Sequence, residues 1–421
     1  MRNLYTLLLY LAVPLLVMRL LWRSLQAPQY RRRVGERLGW FPALPINEAL
    51  WVHAVSVGEV QAAAPLVRLL RERYPAMPIV ITTTTPTGSQ RVQELFREGV
   101  YHVYAPFDVP IAIRRFLDRV KPRLVVLIET EVWPNMLALC RQREIPTLLA
   151  NARLSERSAK GYGRFKGFAQ QTFQDITDIA AQGQADADRF IRLGADPGRV
   201  KVTGSIKFDV RLPASLHEQA EVVRRVWGAH RPVWVAASTH EGEDGQVLDA
   251  HAAVLEQLPE CLLVLVPRHP ERFSKVAALC EKRGFSLVRR SEQGDCSTEP
   301  QVFLGDTMGE LPIFLGASDV AFVGGSLVNH GGHNVLEAAA LGVPVVFGPH
   351  TFNFAAISDL LLEEGAAVRV QSGSELANVV ARWLRDASER SRIGENGRRV
   401  VEENRGALDR LVALIAAQLD S

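Results

Sequence analysis

Cysteine is scarce. The 421 residues hold four (Cys140, Cys261, Cys280 and Cys296), scattered and without a CxxC pair. That excludes a disulfide framework and a cysteine zinc site, and reads as reduced thiols in a cytosolic body. No short-period repeat or low-complexity segment interrupts the chain, so it is not a solenoid. The GxGxxG fingerprint is missing after the first strand-like run, which argues against a nicotinamide dehydrogenase of the usual kind. Acid is nearly absent from one place. Residues 1–40 carry seven arginines (Arg2, Arg19, Arg23, Arg31, Arg32, Arg33 and Arg37) against the single Glu36, a charge of +6 that leaves −3 on the rest of a chain whose net charge is +3. A basic end on a near-neutral body implies an anionic surface met at that end, with no groove for nucleic acid.

What is present begins with the apolar run from Leu4 to Met18, extended past Arg19 by Leu20, Leu21 and Trp22. It approaches the ~20 residues that span a bilayer. Arg19 and Arg23 occupy the region where a signal peptide would be cleaved, and most positive charge follows the apolar run. The segment therefore reads as a retained anchor, residues 1–25, with the body on the cytoplasmic side. Spanning the bilayer and lying in its interface both fit, and an ordinary core helix is the third reading.

The length suits two domains of roughly 200 residues each. Short apolar runs at residues 50–55, 79–82, 124–128, 147–150 and 176–181 alternate with helical patterns. After a polar passage at 205–215 the pattern restarts with 233–237, 262–266, 320–323 and 343–347. Such alternation predicts parallel sheets covered on both faces. Two sets predict two Rossmann-like domains facing a cleft, residues 26–209 and 210–421.

Sheets of this kind bind ligands at the carboxyl ends of their strands. Behind the first run stand Ser56 and Glu59, whose S-x-x-E spacing fits a capping box and a catalytic carboxylate equally. A glutamate in a first helical turn is expected to stay ionised beside the helix dipole. Thr82 to Ser89 fit a helix cap or an anion site. Glu129 and Glu131 place two carboxylates at one strand end. In the second half, Arg268 stands where a phosphate is gripped, and residues 306–311 precede another helical pattern. Gly324, Gly325 and Ser326 follow a strand, and Gly331 to Glu337 are predicted to open a helix ending near Gly342. Glycines let backbone N–H groups approach a phosphate, and Glu337 suits ribose hydroxyls. His330 and His333 suggest a metal only weakly, because no third ligand accompanies them.

Several motifs together carry a resemblance. His53-Ala-Val-Ser-Val-Gly-Glu59, Glu129-Thr-Glu-Val-Trp-Pro134, Asn151-Ala-Arg-Leu-Ser155, Pro267-Arg-His-Pro-Glu-Arg272, Met308-Gly-Glu310 and Gly331-Gly-His-Asn-Val-Leu-Glu337, with the basic Arg31-Arg-Arg-Val-Gly-Glu-Arg37, run over essentially the whole chain. The set resembles the 3-deoxy-D-manno-octulosonic acid (Kdo) transferases. The resemblance implies an α/β fold of the GT-B kind and an inverting transfer from CMP-Kdo to the tetraacylated lipid A precursor (lipid IVA) at the inner membrane. It implies no metal and no cofactor, and anionic inner-membrane lipids as surroundings. By position it makes Glu59 the general base and Glu129 a second required carboxylate. Pro267, Arg268, Met308, Gly309, Glu310, Asn334, Val335, Leu336 and Glu337 become the CMP contacts. Two rivals stand beside it. A GT-B enzyme using a uridine nucleotide, a transferase or a 2-epimerase, would prefer that nucleotide to CMP. A non-enzymatic membrane adaptor would tolerate loss of Glu59.

Overall fold

The short β-branched runs fold as parallel strands buried on both faces, as near-continuous apolar stretches must. The computed structural model describes residues 1–210, 212–292 and 300–420, so the thiol of Cys296 lies outside the described residues. The chain divides into two units, residues 1–209 with 405–421 and residues 210–404.

In the first unit β1 (Ala49–His53), β2 (Ile79–Thr83), β3 (Tyr101–Tyr104), β4 (Pro122–Ile128), β5 (Thr147–Ala152), β6 (Asp178–Ala181) and β7 (Val200–Val202) form one parallel sheet in the order 3-2-1-4-5-6-7. In the second, β8 (Val233–Thr239), β9 (Leu262–Pro267), β10 (Leu287–Arg289), β11 (Val302–Leu304), β12 (Val320–Val323), β13 (Val345–Phe347) and β14 (Ala367–Arg369) run in the order 10-11-9-8-12-13-14. Both orders reverse beside the first strand of the unit, between β1 and β4 and between β8 and β12. At such a reversal the helices on either side diverge and leave a crevice at the strand ends. The apolar runs did not mark β3, β7, β10 and β14, because these edge strands are partly exposed and mix polar with apolar residues. The buried β11 is only three residues long, too short to show a pattern.

The N-terminal helix Arg2–Arg23 has a mean hydropathy of 2.0 over its most apolar window, and none of that window is buried. It nevertheless has two faces. Arg2 pairs with the buried Asp175, the Tyr5 hydroxyl donates to buried Asp108 at 2.8 Å, and Thr6 donates to buried Asn135 at 2.9 Å. The half-buried Leu9, Val13, Leu16 and Leu20 continue that face at helical spacing, while Leu4, Leu7, Leu8, Leu11, Leu15 and Met18 lie exposed on the other. The following basic segment is partly consumed inside the fold. Arg37 is buried, donates to the Thr84 carbonyl at 2.8 Å and stacks on Tyr104, and Arg33 pairs with Glu36. Among the described residues Arg19, Arg23, Arg31 and Arg32 pair with no carboxylate.

The helix Ala407–Leu419 corrects the expectation that residues 210–421 form one domain. Its stripe Leu408, Leu411, Ile415 and Leu419 packs in the same core as Leu50, Val52 and Leu124 of the first unit and Leu66, Val67 and Leu70 of the helix Val57–Arg73. Asp209 fixes the start of this helix by accepting the N–H groups of Gly406 at 2.7 Å and Leu408 at 2.6 Å. An apolar stripe goes where uncovered apolar surface remains, whatever its place in the sequence. Leu411→Ala should accordingly lower the stability of the first unit by roughly 2–5 kcal/mol. Denaturant unfolding followed by fluorescence of the buried Trp51 is the measurement, and an unchanged midpoint would refute this packing.

Candidate active site

At the reversal in the first sheet three carboxylates come together. Ser56 caps the helix Val57–Arg73 by accepting from the Glu59 N–H at 3.3 Å. The Glu59 carboxylate accepts from the Val55 N–H at 2.8 Å and from the Ser56 hydroxyl at 3.0 Å. The capping reading of the S-x-x-E spacing is thus realised, one residue out of the usual register, since Glu59 bonds the amide before the cap. Capping does not exhaust its role. Burial, then the charge of Glu131, and least the charge of Glu129, push the Glu59 carboxyl up to about 8, against the hydrogen bonds of Val55 and Ser56. The expectation that the helix start keeps Glu59 ionised is therefore overturned. Desolvation and like charge outweigh the dipole, although Glu59 stands in the first turn where the dipole acts.

Glu129 follows β4 directly with φ of 62°, a left-handed conformation uncommon for a residue with a Cβ. Its N–H still completes the ladder to Ala150 at 2.9 Å, and its carboxylate lies 3.4 Å from the Lys207 ammonium. Strained backbone of this kind gathers where a side chain must be aimed. Glu131 is half-buried and accepts from the Trp133 indole at 2.7 Å, and burial raises its pKa most. Behind them Thr82 accepts from the Trp51 indole and bonds His53 Nδ1, both at 2.8 Å. Burial lowers His53 to about 3, so the ring is neutral, and it stands edge-on to Trp133 with centroids 5.0 Å apart. The threonines at the end of β2 hold no free anion site. Thr85 caps the helix Pro86–Phe96 through Gly88 N–H, and Thr84 donates to the Val55 carbonyl. Lys207 and the partnership of Glu131 with Trp133 had no signal in local spacing.

In the second unit the structure sorts the candidates. The N–H groups of Gly325, Ser326 and Leu327 do not await a phosphate. They donate to the buried carboxylate of Glu243 at 2.6, 2.9 and 2.8 Å. Sequence reading places residues 237–243 behind the first strand of the second half but gives Glu243 no role, since beside Glu241 it resembles a solvated acid. The helix predicted to open at Gly331 begins only at Leu336 and ends at Ala340, because Gly331 and Gly332 adopt φ of 90° and 74°. Glu337 therefore lies in its first turn, where the Asn334 amide donates to it at 3.0 Å. Burial raises the Glu337 carboxyl, opposed by Asn334 and the charge of Arg268.

Arg272 is committed to Asp244 and to the Thr239 carbonyl, whereas half-buried Arg268 pairs with no carboxylate among the described residues. Pro267 ends β9 and delivers Arg268 to the strand end, where its backbone N–H donates to Thr239 at 3.0 Å. Around the same loops His240 stacks on His330 at 4.2 Å, and its Nε2 lies 2.7 Å from that of His333. Met308 and Gly309 are exposed on the loop after β11, and Glu310 anchors that loop through Arg290 at 2.8 Å and Thr307. Val335 and Leu336 are buried, and the Leu336 N–H donates to the Asn334 side-chain oxygen at 3.1 Å.

The raised Glu59 pKa sets a stability profile. The folded state holds this proton more tightly than the unfolded chain, so stability declines from about pH 4.5 to about 8 as that proton is lost from the unfolded chain first. Glu59→Gln removes the titration. The melting-temperature difference between variant and wild type should be flat below this window and widen across it in favour of the variant, whereas parallel curves would disprove the buried-acid assignment.

Comparison with known proteins bears on the whole chain. Residues 32–210 match the family model described as 3-Deoxy-D-manno-octulosonic-acid transferase (kdotransferase), and residues 246–400 match Glycosyl transferases group 1. The chain is 44% identical to the 3-deoxy-D-manno-octulosonic acid transferase of Haemophilus influenzae, covering 100% of this chain and 99% of that one. It is 38% identical to the enzyme of that name from Bordetella pertussis, over 97% of each. In fold alone it is similar to the UDP-GlcNAc 2-epimerase of Neisseria meningitidis, at 14% identity and a TM-score of 0.54 over 85% of this chain and 99% of that one. Two doubly wound parallel sheets with a neighbour of this kind are the GT-B architecture. Full-length identity at this level places the chain in the Kdo transferase family, and it is a glycosyltransferase of that family.

Proposed function

We propose that this enzyme transfers Kdo from CMP-Kdo to the tetraacylated lipid A precursor, with inversion, at the cytoplasmic face of the inner membrane. The observation that carries the reading is the carboxylate cluster at the β1/β4 reversal, with Glu59 raised to about 8. A general base works best when its pKa lies near the working pH. In the proposed step the acceptor oxygen bonds to the anomeric carbon and its proton passes to Glu59. The bond from that carbon to the phosphate oxygen breaks, and CMP departs with the electron pair. Glu129 and Glu131 raise the proton affinity of Glu59, and they favour the positive charge that develops on the sugar ring. Pro267 and Arg268, Met308 to Glu310, and Asn334 to Glu337 are proposed to hold CMP. Arg268, which pairs with no carboxylate among the described residues, takes the phosphate, and Glu337 takes the ribose.

Glu59→Gln should retain the fold and CMP affinity while turnover falls roughly 10²–10⁴-fold. The wild-type rate at limiting acceptor should rise with pH toward a plateau above about 8. Arg268→Ala should weaken CMP binding roughly 10–100-fold, the worth of a charge-assisted hydrogen bond. Steady-state kinetics and calorimetric titration measure these effects. An active Glu59→Gln enzyme would leave Glu59 as a cap, and tighter binding of UDP than of CMP would transfer the donor site to uridine sugars.

For membrane attachment the two faces of the helix Arg2–Arg23 favour lying in the interface over spanning. A spanning helix would carry Arg2 into or across the hydrocarbon, away from Asp175. With the paired face on the body, the leucine face enters the acyl boundary, and Arg19, Arg23, Arg31 and Arg32 meet anionic headgroups, each worth about 1 kcal/mol. An epitope tag before Met1 should accordingly resist protease added outside spheroplasts and be cleaved in inverted vesicles. Cleavage from outside would establish a spanning helix. Deletion of residues 1–25 should lower transfer on anionic vesicles while largely sparing it on detergent-dispersed acceptor.

A further inference from the structure

The first unit holds an apolar cavity of about 370 Å³ that the chemistry above leaves unused. Pro134, Tyr162, Phe165, Phe168 and Phe173 form most of its wall, and no charged side chain lines it. Its size falls within the range of small-molecule pockets. The wall excludes a sugar or a nucleotide, whose polar groups would go unpaired there.

Two connections give the cavity a direction. On one side Pro134 adjoins Trp133, whose indole donates to Glu131, the strongest charged neighbour of Glu59. Tyr162, in the wall, is raised by burial and by the charge of that same Glu131. On the other side the Phe168 ring meets Tyr5 of the N-terminal helix with centroids 5.4 Å apart. The cavity thus lies between the carboxylate cluster and the helix whose outer face is bare leucine. Phe165, in the wall, is 60% exposed, an aromatic surface left for something apolar to cover.

We propose that this cavity takes one acyl chain of the acceptor lipid, close to the head group, and thereby sets the acceptor hydroxyl before Glu59. The proposal rests on the lipid-acceptor reading and adds to it the residues that select the chain. A chain entering from the membrane interface beside Tyr5 exchanges lipid surroundings for Phe168 and Phe173, so the bound lipid need not leave the apolar phase completely. Chain length then becomes a determinant of affinity, because each methylene finds wall until the cavity is full.

The test uses the full-length enzyme and acceptor analogues of graded acyl length, presented in mixed micelles at fixed mole fraction. For the wild type, the acceptor KM should fall as the chain lengthens until the cavity is filled, by well under the roughly fourfold per methylene of transfer from water, because the chain leaves a micelle. Phe165→Asp should flatten that dependence and raise KM for the longest analogue about tenfold. Transfer to the chain-free head-group disaccharide and CMP affinity should stay unchanged. Gly161→Leu, at a lining glycine where an added Cβ meets nothing within 4 Å, should shorten the preferred chain without harming the fold. Wild-type chain-length dependence in both variants, with transfer intact, would overturn the cavity assignment and leave the transferase reading standing. Absence of transfer to any acceptor by the wild type would overturn that reading instead. The cavity is then judged by displacement of a fluorescent fatty acid with decanoate. Binding that Phe165→Asp weakens sustains an acyl site, and no binding removes it.

Discussion

A parallel sheet buried on both faces has no side chains to spare for chemistry along its strands, and this constraint shapes both units. Leu50, Trp51 and Val52 in one sheet and Trp234, Val235 and Ala236 in the other are all fully enclosed. Polar function is pushed to the strand ends, and most usefully to the reversals of strand order, where neighbouring helices part. Glu59, Glu129 and Glu131 occupy such a reversal in the first unit. The loops bearing His240, Glu243 and Gly325 occupy the other.

The two reversals treat carboxylates in opposite ways. Glu243 is fully buried, yet three successive backbone N–H groups and that of His240 satisfy it, so it serves as internal scaffolding for the glycine loop. Glu59 receives only two hydrogen bonds and faces two further carboxylates, so its proton is held into the working range. One residue type thus becomes internal scaffolding or a proton acceptor according to how many donors surround it.

Much of this was legible in the sequence, and the gaps have physical causes. The alternation of apolar runs disclosed two parallel sheets because interior strands are apolar throughout, as β9 is, or nearly so, as in β4 from Leu124 to Ile128. Edge strands escaped because half their surface is wet. The position of Glu59 at a strand end was readable, but its raised pKa was not, since it depends first on burial and then on Glu131 and Glu129, some seventy residues away in sequence. The glycines of 324–326 were rightly seen as a close-approach loop, yet the group that approaches is Glu243. Nothing in local spacing distinguishes an internal carboxylate from a ligand phosphate. Arg268 and Arg272 look interchangeable in the motif, and only Asp244 tells them apart by claiming the second.

The helix Ala407–Leu419 carries a consequence for biosynthesis. Ribosomes release the first sheet early, but the helix that completes its core is encoded beyond the whole second unit. Until that helix emerges, the flank beside Leu66 and Leu70 stays open to water or to chaperones. The first unit therefore matures only once the second has been made, so a chain broken off during synthesis presents exposed apolar surface to proteases. Chain order here acts as a checkpoint, coupling completion of the unit that bears Glu59 to the presence of the unit that bears Arg268.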